Sequence, residues 1–330
     1  MNKAVQAAPA KVIDFVGKRK IFFGISITIF VIGIICNIIF GTNLDIQFTG
    51  GTIVNYSYTG AVDEEHLKDV AQSAVPDDAI SFSISRNMIA GEENSDDSYV
   101  VSLQFTGTDS ISFDQQKAVT EALNEAFPDN NFQYSESSSV ESTMGWKFFL
   151  KCIVAVAIAC VLMVIYVAFR FRKIGGLAAG MMALVALAHD VLMIYFLYVI
   201  MQMPLDGNFI AVVLMILGYS LNDTIVIYDR IRENRKILGG RMELAQLTNI
   251  SMTQVIRRTI MTSVCTFLAI LCVLVVGIIF NLDSVVSFAL PTMIGIISGC
   301  YSTIAIASPL WVVWENRKKK KKAGEKPVKA

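Results

Sequence analysis

The sequence predicts an α-helical polytopic membrane protein with six transmembrane helices and one α+β domain held between spans 1 and 2. Three observations predict it. The 330 residues are 54% hydrophobic and 17% charged, with a mean hydropathy of +0.55, too little charge to cover a soluble fold of this length. Apolar runs of about 20 residues recur, the length that crosses a hydrocarbon core. The net charge of zero is sorted, not mixed. Residues 41–146 hold eighteen Asp and Glu against Lys68, Arg86 and Lys117 alone, whereas Arg317 and Lys318 to Lys322 crowd the tail.

The first span covers residues 21–40, after the cytoplasmic N-terminus at 1–20. Its apolar core exceeds a signal-peptide h-region and no A-x-A-like site follows, so it reads as uncleaved. Further spans read at residues 148–169, 175–200, 209–228, 259–280 and 285–314, inside a membrane region of 147–314. Residues 201–208 alone separate spans 3 and 4, which implies a tight helical hairpin. Six spans place the basic clusters at 18–20, 170–173, 230–241 and 317–322 on one side. The positive-inside rule makes that side cytoplasmic, with both termini there, in a multi-pass membrane protein. Residues 229–257 read as a cytoplasmic amphipathic helix on the membrane surface. The tail, 315–330, reads as an anchor to anionic lipid and not as a nucleic-acid site.

The extracytoplasmic domain, 41–146, alternates in character. Residues 44–58 read as extended, with a break or bulge at Thr49-Gly50-Gly51-Thr52. No Gly-Lys-Ser/Thr follows, so this is no phosphate loop. Helical spacing follows at 62–75, strands at 79–86 and 99–105 around a polar hairpin loop at 91–98, a second helix at 111–127, and a strand at 132–139. The order β-α-β-β-α-β predicts a ferredoxin-like sandwich. His66, among acids on a helix, reads as solvated.

All six cysteines (Cys36, Cys152, Cys160, Cys265, Cys272 and Cys300) fall in apolar runs and read as packing residues. There is no nucleotide loop, nucleophile triad or metal-ligand cluster, so neither enzymatic activity nor a cofactor or metal is expected.

Ionisable residues inside spans are costly and are the natural functional candidates. The fourth span carries Gly218-Tyr219-Ser220-Leu221-Asn222-Asp223-Thr224, with Ser220 and Asp223 on one face. Asp223 lies about 21 Å along the helix from Phe209, within the hydrocarbon. The third span carries His189-Asp190, reached by a stripe of small residues, Gly176, Ala179, Gly180, Ala183 and Ala186, that permits close helix contact. Arg257-Arg258-Thr259 opens the fifth span, with Thr262, Ser263 and Thr266 just inside, and Arg258 is placed to reach Asp223 or stay at the interface. Asp223, Arg258, Asp190 and His189 are therefore candidates for a proton relay, supported by Ser220, Asn222, Thr224 and Thr262. Helix-binding hydrogen bonds are the competing reading. In the sixth span, Gly295-Ile296-Ile297-Ser298-Gly299 and Tyr301-Ser302 are explained by packing.

Several stretches, in order along nearly the whole chain, resemble the SecF branch of the SecD/SecF family, part of the bacterial Sec export machinery and related to resistance-nodulation-division transporters. Leu44-Asp45-Ile46-Gln47-Phe48-Thr49-Gly50-Gly51-Thr52 is similar to the family's D-F-x-G-G-T signature, loosened by Gln47 and Thr49. Tyr166 to Arg172 and His189-Asp190-Val191 match spans 2 and 3, and Gly218 to Asn234 is the most specific match. Arg258 to Ser263 and Ala307-Ser308-Pro309-Leu310 continue it. The resemblance implies a subunit that works with SecD beside the SecYEG channel and uses the proton-motive force to promote late translocation of an unfolded polypeptide. It also implies that Asp223 and Arg258 take part in moving protons. Half of a proton-driven small-molecule exporter and a non-transporting scaffold are the alternatives. A single external domain fits a subunit that needs a similar partner.

Overall fold

The computed structural model describes residues 12–75, 79–86, 98–106, 111–238, 242–280 and 282–324. Helix α1 (Arg19–Phe40) ends at Gly41, whose backbone N–H closes the last turn on Asn37. A helical turn, α2 (Ile46–Thr49), follows. Here the structure corrects the extended reading of residues 44–58. Asp45 accepts a hydrogen bond from Gln47 N at 2.8 Å and caps the turn, while Ile46 and Phe48 are buried. Strand β1 (Gly51–Thr59) starts only after it. Gly51 has φ +136°, and a Cβ there would lie 2.2 Å from the Phe105 carbonyl oxygen, so the backbone closes on β3 without a side chain between.

The rest of the domain is α3 (Glu64–Ala74), β2 (Ala79–Arg86), β3 (Ser98–Thr106), α4 (Phe113–Ala126) and β4 (Gln133–Val140). The expected loop at 91–98 lies, for residues 91–97, outside the described residues. All strand pairs are antiparallel in the order β2-β3-β1-β4. Alternation sends Val54, Tyr56 and Tyr58 of β1 and Val101, Leu103 and Phe105 of β3 into one core with Leu67, Val119 and Leu123 of the two helices. Ser112 and Gln115 form a capping box at the start of α4. The bulge lies between β1 and β4, at Asn55/Tyr56.

Helices α5 (Ser142–Arg170), α6 (Gly176–Ile200), α7 (Gly207–Leu238), α8 (Leu244–Ile279), α9 (Asp283–Ser302) and α10 (Ser308–Gly324) build the bundle, α9 and α10 being joined by a π-helical turn at Thr303–Ala307. Among the described residues six helices are long and apolar enough to cross a membrane. They are α1, α5, α6, α7, α8 and the continuous α9–α10. The chain is a multi-pass membrane protein. Helices α6, α7 and α9 form its interior, while α1, α5 and α8 leave side chains such as Ile38, Leu162 and Ile278 exposed, as a lipid-facing surface requires.

The surface helix expected at 229–257 is not formed as one element. Helix α7 runs on to Leu238 and α8 already begins at Leu244, and the two helix ends pack on each other. Asn234 donates to Ser251 Oγ and Gln254 Oε1, each at 2.8 Å, and Arg230 Nε to Gln254 Oε1 at 2.6 Å. Buried Asn249 accepts from the backbone N–H groups of Phe15 and Val16, both at 3.1 Å, so this hairpin also holds the segment before α1. These polar residues are scattered among apolar ones, and only pairing across the hairpin satisfies them.

The domain is strapped to the bundle at the α6–α7 turn. Asp45 N donates to Leu205 O at 3.0 Å and Leu205 N to Asn43 O at 2.9 Å, around a Leu44–Leu205 parallel bridge. Gly207 N donates to Gln47 Oε1 at 3.2 Å. Phe48 stacks on Phe148 of α5, with ring centroids 5.7 Å apart. Asp206 caps α7 through Phe209 N at 3.0 Å and accepts from Asn208. Burial raises the carboxyls of both Asp45 and Asp206 above the usual range, and the Asp206 charge raises Asp45 further. A carboxyl raised in the folded state penalises that state above its folded pKa, and the penalty fades as pH falls through it. The strap is therefore expected to strengthen as pH drops from neutral toward the ordinary carboxylate value of about 4. Hydrogen exchange at the Asp45 and Leu205 amides, corrected for intrinsic rate, should slow accordingly, and the D45N/D206N variant, which keeps both caps, should lose the trend. A flat pH profile in the unmodified protein would refute this.

Candidate functional site

Two polar centres lie inside the bundle. The first is built on Asp190, which is fully buried. The small-residue stripe of α6 brings it there. A Cβ on Gly176 would lie 2.1 Å from the Ala168 carbonyl oxygen and one on Gly180 3.1 Å from that of Val164, so α5 and α6 are in backbone contact and α6 is drawn inside. Asp190 Oδ2 accepts from Ser220 Oγ of α7 and Ser302 Oγ of α9, both at 2.7 Å. Its Oδ1 accepts from Ser298 Oγ of α9 at 2.6 Å and lies 3.3 Å from His189 Nδ1. Three helices are thus tied to one carboxylate. His189 packs between Phe30, 5.1 Å between centroids, and Tyr301, 5.8 Å, and its Nε2 is buried with no partner among the described residues.

Ser220 extends this centre. Thr224 Oγ1 donates to the Ser220 carbonyl at 3.2 Å and lies 3.1 Å from Thr303 Oγ1, which donates to that carbonyl at 3.3 Å. Thr303 opens the π turn, so the irregular backbone of the last span begins beside the Asp190 cage. The close approach of α9 depends on glycine. A Cβ on Gly295 would lie 2.6 Å from Ile216 Cγ1 and one on Gly299 3.0 Å from Ser220 Cβ.

The second centre is Asp223, one turn further along α7 and 3% exposed. It faces α8, where Ser263 lies in hydrogen-bonding range and Arg258 in electrostatic range, with Cys300 of α9 beside them. Tyr219 OH donates to Ser263 Oγ at 3.4 Å. Asp223 Oδ2 is buried with no hydrogen-bond partner among the described residues. Arg258 is exposed, and among the described residues no ion pair joins it to Asp223. Asn222 and Thr262 are exposed as well, and Thr262 Oγ1 donates to the Arg258 carbonyl in its own helix, at 2.9 Å.

The candidate residues therefore fall into two groups. His189, Asp190, Ser220 and Thr224 share one network; Asp223 and Arg258 belong to another; among the described residues Asn222 and Thr262 enter neither. Chemically the two carboxylates differ. Asp190 has both oxygens filled by donors. Asp223 has, among the described residues, one oxygen without a donor, open to take a proton.

Residues 118–317 match the family described as Protein export membrane protein SecD/SecF, C-terminal. The chain belongs to the SecD/SecF protein-export family. It is 32% identical to Protein translocase subunit SecF of Petrotoga mobilis, over 93% of this chain and 98% of that one. It is 29% identical to Protein translocase subunit SecDF of Bacillus subtilis, covering 94% of this chain but 39% of that protein. The solved structure of SecDF, a translocon-associated membrane protein from Thermus thermophilus, superposes with a TM-score of 0.74 at 27% identity, covering 96% of this chain and 40% of that one. The chain thus spans about two fifths of its SecDF relatives.

In this SecD/SecF-family chain, Ser298, Ser302 and Cys300 read from the sequence as packing residues, and the structure places them at the two polar centres. The two serines stand four residues apart on α9, one helical turn, a spacing that signals a shared face. The glycines around them explain packing, which masked that signal.

Proposed function

We propose that this chain is the SecF-type subunit of the Sec export machinery. It acts with a SecD partner beside the SecYEG channel and couples proton movement to the late translocation of an unfolded polypeptide. The observation that carries the coupling is Asp223: a buried carboxylate with one oxygen unpartnered among the described residues, about 24 Å along α7 from Gly207. Protonation removes the cost of that buried charge, and deprotonation restores the pull of Arg258. The change is poised to shift α8 and α9 against α7. Relatives in which SecD and SecF are one protein support a SecD partner. Both termini are assigned to the cytoplasm on the basic clusters, which puts residues 41–146 outside and the lysine-rich tail against anionic lipid. The strand order β2-β3-β1-β4, with α3 and α4 as crossovers, supports a ferredoxin-like class for that domain.

In this reading the external domain moves at the joint around Leu44 and Leu205, where the strap opens and closes. In a background with the six cysteines replaced, L44C/L205C is expected to form a disulfide, because the two residues are bridge partners. Export stimulation in inverted vesicles should fall to background on oxidation and recover on reduction. Undiminished export with the bond formed would remove domain motion at this joint from the mechanism.

A further inference from the structure

At the bundle end that carries the arginines, a cavity of about 350 Å³ opens between the end of α5, the start of α6 and α10. Its lining is divided. Arg172 and Lys318 supply positive charge, while Phe169, Leu177 and Ala178 supply an apolar wall. Phe169 and Leu177 are largely exposed, on the outer surface of the bundle. The floor is backbone: Gly176 sits so close to Ala168 that no side chain fits between them.

The cationic half is arranged in advance. The Arg172 guanidinium carbon lies 4.2 Å from the Phe169 ring centroid, a stack that holds the head group in place and leaves the in-plane N–H edge pointing away from the ring. Among the described residues no ion pair engages Arg172 or Lys318. The Glu315 carboxylate stands beside Gly175, 3.2 Å from where a Cβ would lie, and the sequence around the cavity adds Lys173 and Arg317 to the two lining cations. An apolar wall on the bundle's outer face, next to cations that no described carboxylate pairs with, matches the two halves of a phospholipid.

We propose that this cavity binds one anionic phospholipid, its phosphate between Arg172 and Lys318 and an acyl chain along Phe169 and Leu177. The proposal rests on the basic end lying at a membrane surface and is independent of how protons are used. It differs from diffuse attraction to the lysine tail, because it names one stoichiometric site on the folded bundle.

The full chain in mild detergent, titrated with phosphatidylglycerol or phosphatidylcholine of identical acyl chains and observed by native mass spectrometry, tests it. Retention of one phosphatidylglycerol per chain is expected, on the order of tenfold tighter than phosphatidylcholine. The R172Q/K318Q variant should lose that preference. Leu177→Trp, which leaves the charge unchanged and fills the apolar half, should weaken retention while the unfolding midpoint is held. Replacing Lys320, Lys321 and Lys322 by Gln should leave the stoichiometric lipid bound. Equal retention of the two lipids, an undiminished preference in R172Q/K318Q, or loss through the tail lysines alone would each overturn the site. Displacement by soluble glycerol phosphate would also overturn it, because the ligand would then be a free phosphate.

Discussion

Asp223→Asn is expected to reduce proton-driven export stimulation to background while the protein still inserts and folds. The amide has nearly the shape of the carboxyl and forfeits no hydrogen bond at Oδ2, which has no partner among the described residues. What it loses is the charge and the ability to exchange a proton. The folded protein should therefore be at least as stable as the parent, because the substitution removes a buried charge. The assay is export into inverted vesicles with an imposed proton gradient, beside thermal unfolding in detergent. Full proton-dependent export by this variant would take Asp223 out of the mechanism.

Asp190→Ala should do the reverse. It removes the acceptor shared by Ser220, Ser298 and Ser302 and strips His189 of its carboxylate neighbour. Serine hydroxyls in helices turn back to their own carbonyls, as Ser302 already does toward Gly299 at 3.3 Å, which recovers part of the loss. The remaining cost is on the order of 3 kcal/mol, a large share of total stability. A lower unfolding midpoint and α6 detaching from α9 are expected, the latter seen as faster hydrogen exchange around Ser298. A double-mutant cycle with Ser298→Ala should show strong coupling, because the two side chains share one hydrogen bond. If the midpoint is unchanged and proton-driven export is nonetheless lost, Asp190 belongs to the proton path and is not a pin.

The two results would separate residues that the sequence presents as one class. His189, Asp190 and Asp223 all read as ionisable groups in apolar spans, and the cost of burying charge marks each of them alike. That cost says nothing about partners. Asp190 acquires three hydroxyl donors because α6 is drawn into the bundle by glycine and alanine contacts. Asp223, on α7, looks toward α8 and keeps an oxygen unfilled. Asn222 and Thr262 stand near the site in sequence but face outward. Adjacent residues on a helix point about 100° apart, so Asn222 is exposed while Asp223 is buried.

The fold divides in the same way. Apolar runs of spanning length and the sorted charge were sufficient for six membrane helices and an acidic α+β domain, because hydrocarbon thickness and hydrophobic periodicity are local demands written residue by residue. Tertiary structure alone decided where helices end and what their polar residues meet. Residues 44–50 turn into a capped helix because Phe48 finds an aromatic socket on α5. Residues 229–257 become two helix ends because Asn234, Ser251 and Gln254 satisfy one another across the hairpin. The sequence by itself determined that carboxylates would lie inside the membrane. Which of them is held fast and which is left open followed from the packing, because a hydrogen bond needs a partner that only the assembled bundle brings within reach.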